Sequence, residues 1–425
     1  MDKSSTNEPT VATILVNATQ RAVEEAVSTM ASAITSSTST TSSPSSPSSE
    51  SSGDRASDAC WDVAELTIFR VPELRSLPTP MLILLSIALL VTLWAVVKFI
   101  QALWTYFICY LLGFGAKWRP GPDSWAIVTG STDGIGLAYA KAMARKGYCL
   151  LLISRTAQKL DKVKAEIVAE CPNCPAVKTM AVDFTLDSIY KTIAEEINAL
   201  NGHVHVLINN VGMAYKYPEY FTKIPNSDKF ISDILNCNIL SVTRMTHIVL
   251  PLMEKRRSGI VINISSYSAL FPTPLLAMYS ASKIYMDYLS RALHAEYKDR
   301  GIIVQSVLPY YVSTNMIRNP GISFMIPSPD QFVSSALKTV GVEVRTYGYF
   351  AHNILAFFQN FFVKFVIGNN LNTKIAFFRM KRFRKGCYKR KGLNHKEHKQ
   401  MGSTVSSLNH LHLHHHSSQH HSQMV

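Results

Sequence analysis

WAIVTGSTDGIG, from Trp125 to Gly136, is the stretch from which the fold is read. Trp125 to Thr129 is a short apolar run. Gly130-Ser131-Thr132-Asp133-Gly134-Ile135-Gly136 leads from it into a helical pattern. Strand, glycine turn and helix in that order form the setting in which a nucleotide binds. Gly130 allows the tight turn, Gly134 lets the backbone approach a pyrophosphate, and Gly136 permits close packing of helix on strand. The helix start offers unpaired N–H groups and a partial positive charge to phosphates. A glycine turn without a ligand is the competing reading of this motif alone.

Downstream, apolar runs and helical patterns alternate. Cys149 to Ile153 reads as a second buried strand, ending at Ser154-Arg155. An acidic residue there would bind a ribose 2′-hydroxyl. Arg155 suits a 2′-phosphate instead, so NADP(H) is the expected cofactor. Val177 to Val182 forms a third strand, and Asp183 at its end is placed to reach an adenine edge. Cys171-Pro172-Asn173-Cys174 lacks a second ligand pair and reads as a loop, with no metal site expected. Val204 to Ile208 leads into Asn209-Asn210-Val211-Gly212, and a helix is expected from Ile231 to Met253 with Asn238 in its middle. A buried amide there needs a partner. The alternation predicts an α/β fold, a Rossmann-like doubly wound parallel sheet.

The chemistry is placed in NISSYSALFPTPLLAMYSASK, Asn263 to Lys283. Tyr279 and Lys283 are four residues apart, on one helical face. A free phenol has a pKa near ~10, and an adjacent ammonium favours the phenolate. Bringing it toward ~7 takes about 4 kcal/mol. Ser266 follows the strand-like run Ile260 to Ile264, so its hydroxyl and the phenol can converge on one substrate oxygen in the crevice beyond the strand ends. Each piece alone is common on ordinary helices and strand ends.

Taken together, the glycine turn, Asn209-Asn210-Val211-Gly212, Asn238, Ser266 and Tyr279-x3-Lys283 resemble the short-chain dehydrogenase/reductase family over roughly residues 120–350. TDGIGLAYA, NNVGMAYKYPEYF and PSPDQFVSSALKTVG are similar to its membrane-bound branch of 17β-hydroxysteroid dehydrogenase type 12 and very-long-chain 3-oxoacyl-CoA reductase. The resemblance implies that Ser266 holds the substrate carbonyl and Tyr279 donates a proton to it. Lys283 would tune the tyrosine and bind the nicotinamide ribose. Asn238 would anchor a proton-relay water. Gly130, Ser131, Asp133, Gly134, Ile135, Gly136, Arg155, Asp183, Asn210, Tyr279, Lys283 and Thr314 would line the cofactor. The implied substrate is a lipid carbonyl, a 3-oxoacyl-CoA or a 17-ketosteroid, and a homodimer is implied as well. Pro309-Tyr310 departs from the family's Pro-Gly. A relative of that branch is idle because it lacks the tyrosine, and the presence of Tyr279 here favours an enzyme over an inactive scaffold.

The chain ends are compositionally different. The 425 residues carry a net charge of +14, concentrated late in the chain, and seven scattered cysteines that suit a reducing compartment. Residues 1–75 are Ser- and Thr-rich and expected to be disordered. Asn17 begins a glycosylation triplet, which matters only if that end faces a lumen. Residues 81–116 are expected to anchor the chain in a membrane, since ~20 apolar residues suffice to span one. Trp104, Tyr106, Tyr110 and Trp118 suit an interfacial belt, and Lys117 and Arg119 favour a cytosolic catalytic domain. The branch resemblance places this in the endoplasmic reticulum. Residues 351–378 read as a membrane-lying or lid segment, and 379–425 as a basic, His-rich disordered tail suited to anionic lipid. The upstream span argues against nucleic acid as its partner.

Overall fold

A computed structural model describes residues 78–104, 115–118, 120–121, 123–317 and 321–391. The Ser-rich start, Asn17, Tyr106, Tyr110, Arg119 and the histidine tail lie outside the described residues. In chain order the elements are α1 (Thr79–Leu103), β1 (Ser124–Thr129), α2 (Gly134–Arg145), β2 (Cys149–Ser154), α3 (Ala157–Glu170), β3 (Val177–Ala181), α4 (Tyr190–Asn198) and β4 (His203–Asn209). There follow α5 (Ser227–Leu235), α6 (Ser241–Arg256), β5 (Gly259–Ile264), α7 (Ala277–Tyr297), β6 (Ile302–Val307), α8 (Pro329–Leu337), β7 (Arg345–Thr346), α9 (Phe350–Phe361) and α10 (Gly368–Lys391).

The strands form one sheet in the order β3-β2-β1-β4-β5-β6-β7, and every pairing is parallel. This is the Rossmann-like sheet expected from the sequence. The central strands β1, β2 and β5 read as near-continuous apolar runs because both of their faces are covered. Tyr139 and Met143 of α2 and Phe332 of α8 pack on one face, while Ile193, Met245 and Val249 pack on the other. The chain winds outward from β1 to β3 and then crosses back to β4. The carboxyl ends of β1 and β4 therefore border the crevice where such sheets bind ligands.

A polar ladder crosses this apolar interior. The Asn209 amide donates to Asn263 Oδ1 at 2.9 Å and to Thr246 Oγ1 at 3.1 Å, and Asn263 donates to Ser290 Oγ at 2.8 Å. It joins β4, β5, α6 and α7 just below the crevice.

The helix expected from Ile231 to Met253 is present, with a π turn over Asn236–Leu240 inside it. Asn238 is bonded sideways to Met213 there, and Ser241 Oγ donates to Cys237 O at 2.6 Å. Residues 379–391, expected within a disordered tail, are the end of α10. Arg384 is buried there against Glu219, which gives that segment a reason to fold. The 351–378 segment comprises most of α9, a π turn over Phe362–Ile367 and the start of α10.

Among the described residues, α1 is the one helix long and apolar enough to cross a membrane by length and composition, with mean hydropathy 2.5 over Thr79–Gln101. Trp94 of α1 stacks on Phe357 of α9 with ring centroids 4.5 Å apart. Removing the centre of the polar ladder by Asn263→Ala leaves buried partners unpaired, at about 1–3 kcal/mol each. Denaturant unfolding should show a loss of about 2–4 kcal/mol, and a loss below about 1 kcal/mol would show that the ladder is unimportant.

Candidate active site

The glycine turn is held from the far side by β4. Thr129 Oγ1 accepts from the N–H groups of Asn210 (3.0 Å) and Val211 (3.2 Å). The Asn210 amide donates in turn to the carbonyls of Thr129 and Gly130. Asn210 thus shapes the cradle with its side chain already engaged. Gly130 and Gly134 lie at φ 64° and 54°, a region that disfavours side chains. A Cβ on Gly136 would fall 2.2 Å from Gly130 O, so this contact of helix with strand requires glycine.

Ser131 Oγ is buried and lacks a hydrogen-bond partner, an orphan hydroxyl at the start of α2. Asp133 caps α2 through Gly134 N at 2.7 Å, and its second oxygen accepts from Asn315 at 2.6 Å. Ile135 is half-buried on the first turn. Thr314 closes over this turn, its methyl 3.0 Å from where a Cβ on Gly134 would lie. Arg155 is exposed directly after β2. Asp183 receives the N–H and hydroxyl of Thr185, which fixes the loop after β3. A bare turn, a helix start, an orphan hydroxyl and an exposed guanidinium fit a dinucleotide carrying a 2′-phosphate.

Across the crevice, β5 ends at Ile264 and α7 begins at Ala277. Two bonds tie them together. Ser265 Oγ donates to Lys283 O at 2.6 Å, and Lys283 Nζ donates to Ile264 O at 2.9 Å. The Ser266 hydroxyl faces the Tyr279 phenol across the crevice, near enough to favour its ionised form. The Lys283 ammonium lies 5.9 Å from the centroid of the Tyr279 ring, on the same side of the helix. Asn238 uses both amide donors on protein, to Met213 O at 3.0 Å and Ser282 Oγ at 2.9 Å, and its oxygen accepts from Met213 N. Both groups border Gly212. A Cβ there would lie 3.4 Å from Lys283 Nζ and 3.5 Å from Asn238 Oδ1.

Burial dominates the protonation of the pair. It raises the Tyr279 phenol above its ordinary value, against the opposing influence of the Ser266 hydroxyl, and nearby Tyr311 raises it further. Burial lowers Lys283 to about 8. In the protein by itself the phenol therefore moves up, not down as the sequence suggested. The ammonium is aimed at a strand-end carbonyl, and desolvation outweighs it.

Several neighbours had no signal in the sequence. Tyr267, Tyr310 and Tyr311 pack in series, with ring centroids 4.7 and 4.5 Å apart. Tyr310, which stands in place of the family's glycine, is the middle ring. The Tyr267 hydroxyl donates to Gln359 of α9 at 2.6 Å. Tyr215 OH accepts from Met278 N at 3.2 Å, just before Tyr279. The π turn around Asn238 was equally invisible, since no residue pattern marks an i→i+5 bond.

The family profile described as short chain dehydrogenase matches residues 124–321. The chain is 46% identical over 255 residues to very-long-chain 3-oxoacyl-CoA reductase of Bos taurus, covering 60% of this chain and 80% of that one. The Homo sapiens protein of the same name is 48% identical over 238 residues, covering 56% and 74%. Reductase-A of Danio rerio is 42% identical over 289 residues, covering 68% and 87%. A solved 7β-hydroxysteroid dehydrogenase, studied for its stereoselectivity, superposes with a TM-score of 0.53 at 17% identity over 61% of this chain and 96% of that one, a likeness of fold. Sequence, sheet order and site geometry agree: the chain belongs to the short-chain dehydrogenase/reductase family.

Proposed function

We propose that this protein is an NADPH-dependent reductase of a lipid carbonyl, with a 3-oxoacyl-CoA as the substrate class, held at a membrane by α1. The hydroxyls of Ser266 and Tyr279, facing each other at the crevice, carry the reading. A carbonyl oxygen seated between them meets two O–H donors. The reductase names of the curated relatives support the acyl-CoA class over a 17-ketosteroid. An inactive scaffold would have no need of this donor pair.

A reduced nicotinamide, when bound, supplies the hydride. Gly130, Gly134, Gly136, Ser131 and Arg155 would hold the dinucleotide, with Thr314 closing over it. Tyr279 carries its proton at neutral pH, as an ordinary phenol does, and burial favours that form further; it is the form reduction consumes. Ser266 orients the substrate oxygen toward the phenol. As the proton leaves, the Lys283 ammonium stabilises the phenolate left behind. Lys283 titrates at about 8, close enough to neutrality to return a proton from the side of Gly212 and Asn238.

Residues 120–350 would form the catalytic domain, facing the cytosol from the endoplasmic reticulum membrane. Lys117 beside the span supports that orientation. Lys381, Arg382, Lys385 and Lys389, exposed on α10, suit anionic headgroups.

Detergent-solubilised full-length protein should reduce 3-oxoacyl-CoA with NADPH in preference to a 17-ketosteroid. Tyr279→Phe should lower turnover by about 10²–10⁴ while NADPH still binds. Unchanged turnover in that variant sinks the proposal. Arg155→Asp should weaken NADPH and favour NADH, seen as a reversed ratio of the two KM values. Lys283 gives a pH signature in the cofactor-free protein. It loses its proton near pH 8 when folded and near 10.5 when unfolded. Between these values the unfolded chain holds the extra proton, so stability rises with pH. Thermal melts between pH 8 and 10 should climb more steeply in the parent than in Lys283→Met.

A further inference from the structure

α10 reaches back 165 positions in sequence to the loop after β4 and closes a buried charge pair there. Arg384 Nε donates to Glu219 Oε1 at 2.8 Å and Nη2 to Oε2 at 3.1 Å, a two-point grip. Tyr388 OH accepts from Arg384 Nη2 at 3.0 Å and donates to Glu219. Glu219 is 2% exposed and Arg384 7%. The guanidinium also lies 5.3 Å over the Tyr220 ring, and Phe377 of α10 meets that ring edge-on at 6.2 Å. Breaking such a pair from one side leaves a buried charge without its partner.

The loop held this way grips the approach to the catalytic tyrosine at two points. Glu219 N donates to Leu275 O at 2.9 Å. Tyr215 OH accepts from Met278 N at 3.2 Å. Leu275 sits between these contacts at φ 66°, a conformation that a leucine adopts only when its surroundings impose it. Tyr279 follows four residues after Leu275.

We infer that Arg384 is a positioning residue: through Glu219 and the Tyr215–Tyr220 loop, α10 sets the backbone at Leu275–Met278 and hence the place of the Tyr279 phenol. This rests on the ketone reduction proposed above. The reaction does not pass through the latch, which instead determines whether the proton donor meets the substrate oxygen. A displacement of about 1 Å at such a donor costs up to ~100-fold in rate.

The test uses full-length protein in detergent with Arg384→Ala, the conservative Arg384→Lys and the milder Tyr388→Phe. Hydrogen exchange should rise in Arg384→Ala at both 215–220 and 275–279, whether or not a substrate is known. A rise confined to 368–391 overturns the inference. In turnover, Arg384→Ala should lose about 10- to 100-fold in kcat with the Kd for NADPH within about twofold. Arg384→Lys should recover part of that loss. The pH dependence of kcat should shift in Arg384→Ala, since the environment of Tyr279 changes. A lower amplitude with the parent's pH profile marks a merely structural contact and overturns the inference. If Arg384→Ala does not fold, Tyr388→Phe must show the same two-segment exchange, and its absence has the same force. Inactivity of the parent protein with every ketone rejects the reductase reading alone, because the exchange result still decides the latch.

Discussion

A cation buried at the end of a strand is the constraint on which the site depends. Lys283 is 5% exposed, and an isolated ammonium in such a place would shed its proton. The Ile264 carbonyl takes one of its hydrogens at 2.9 Å and Met286 Sδ lies at 3.5 Å, while Ser265 holds the same residue by its backbone. This set of bonds fixes α7 against β5 at one level. Ser266 and Tyr279 meet because the two elements carrying them are pinned there. The partial compensation of the charge also explains why the amine titrates close to neutrality.

The cofactor side follows a different rule. Its residues act mainly by not being in the way. Gly136 lets α2 approach β1, and Asn210 and Thr129 spend their hydrogen bonds on keeping the turn open. Ser131 presents a buried hydroxyl without a partner, and Arg155 an exposed guanidinium. A scaffold of engaged polar groups around a few free ones is preorganised for a polyanion, with little reorganisation on binding.

Much of this was legible in the amino-acid sequence, for identifiable reasons. The strands beneath the crevice are apolar on both faces, so their runs stand out without an alignment. Gly130 to Gly136 and Tyr279-Lys283 are local patterns, with spacing fixed by a turn or a helix. Contacts between distant segments left no such mark. Glu219 and Arg384 look like any surface charges in a polar context, and the basic run around Arg384 suggested a solvated tail. The π turn at Asn238 was hidden because it uses the same residues as an ordinary helix. The direction of the Tyr279 shift was missed because it depends on desolvation, which the chain acquires only on folding.

The amide ladder of Asn209, Asn263 and Ser290 has one more effect. Apolar strands such as VLI and IVI would bury almost the same surface if β4 and β5 slid past each other by two residues. Such a slide would part the two carboxamides and set at least one of them opposite a hydrocarbon neighbour, with no water to replace its lost partner. The ladder thus acts as a ratchet pawl for strand alignment, admitting one registration of the central sheet and with it one spatial phase for every residue hung from the strand tips.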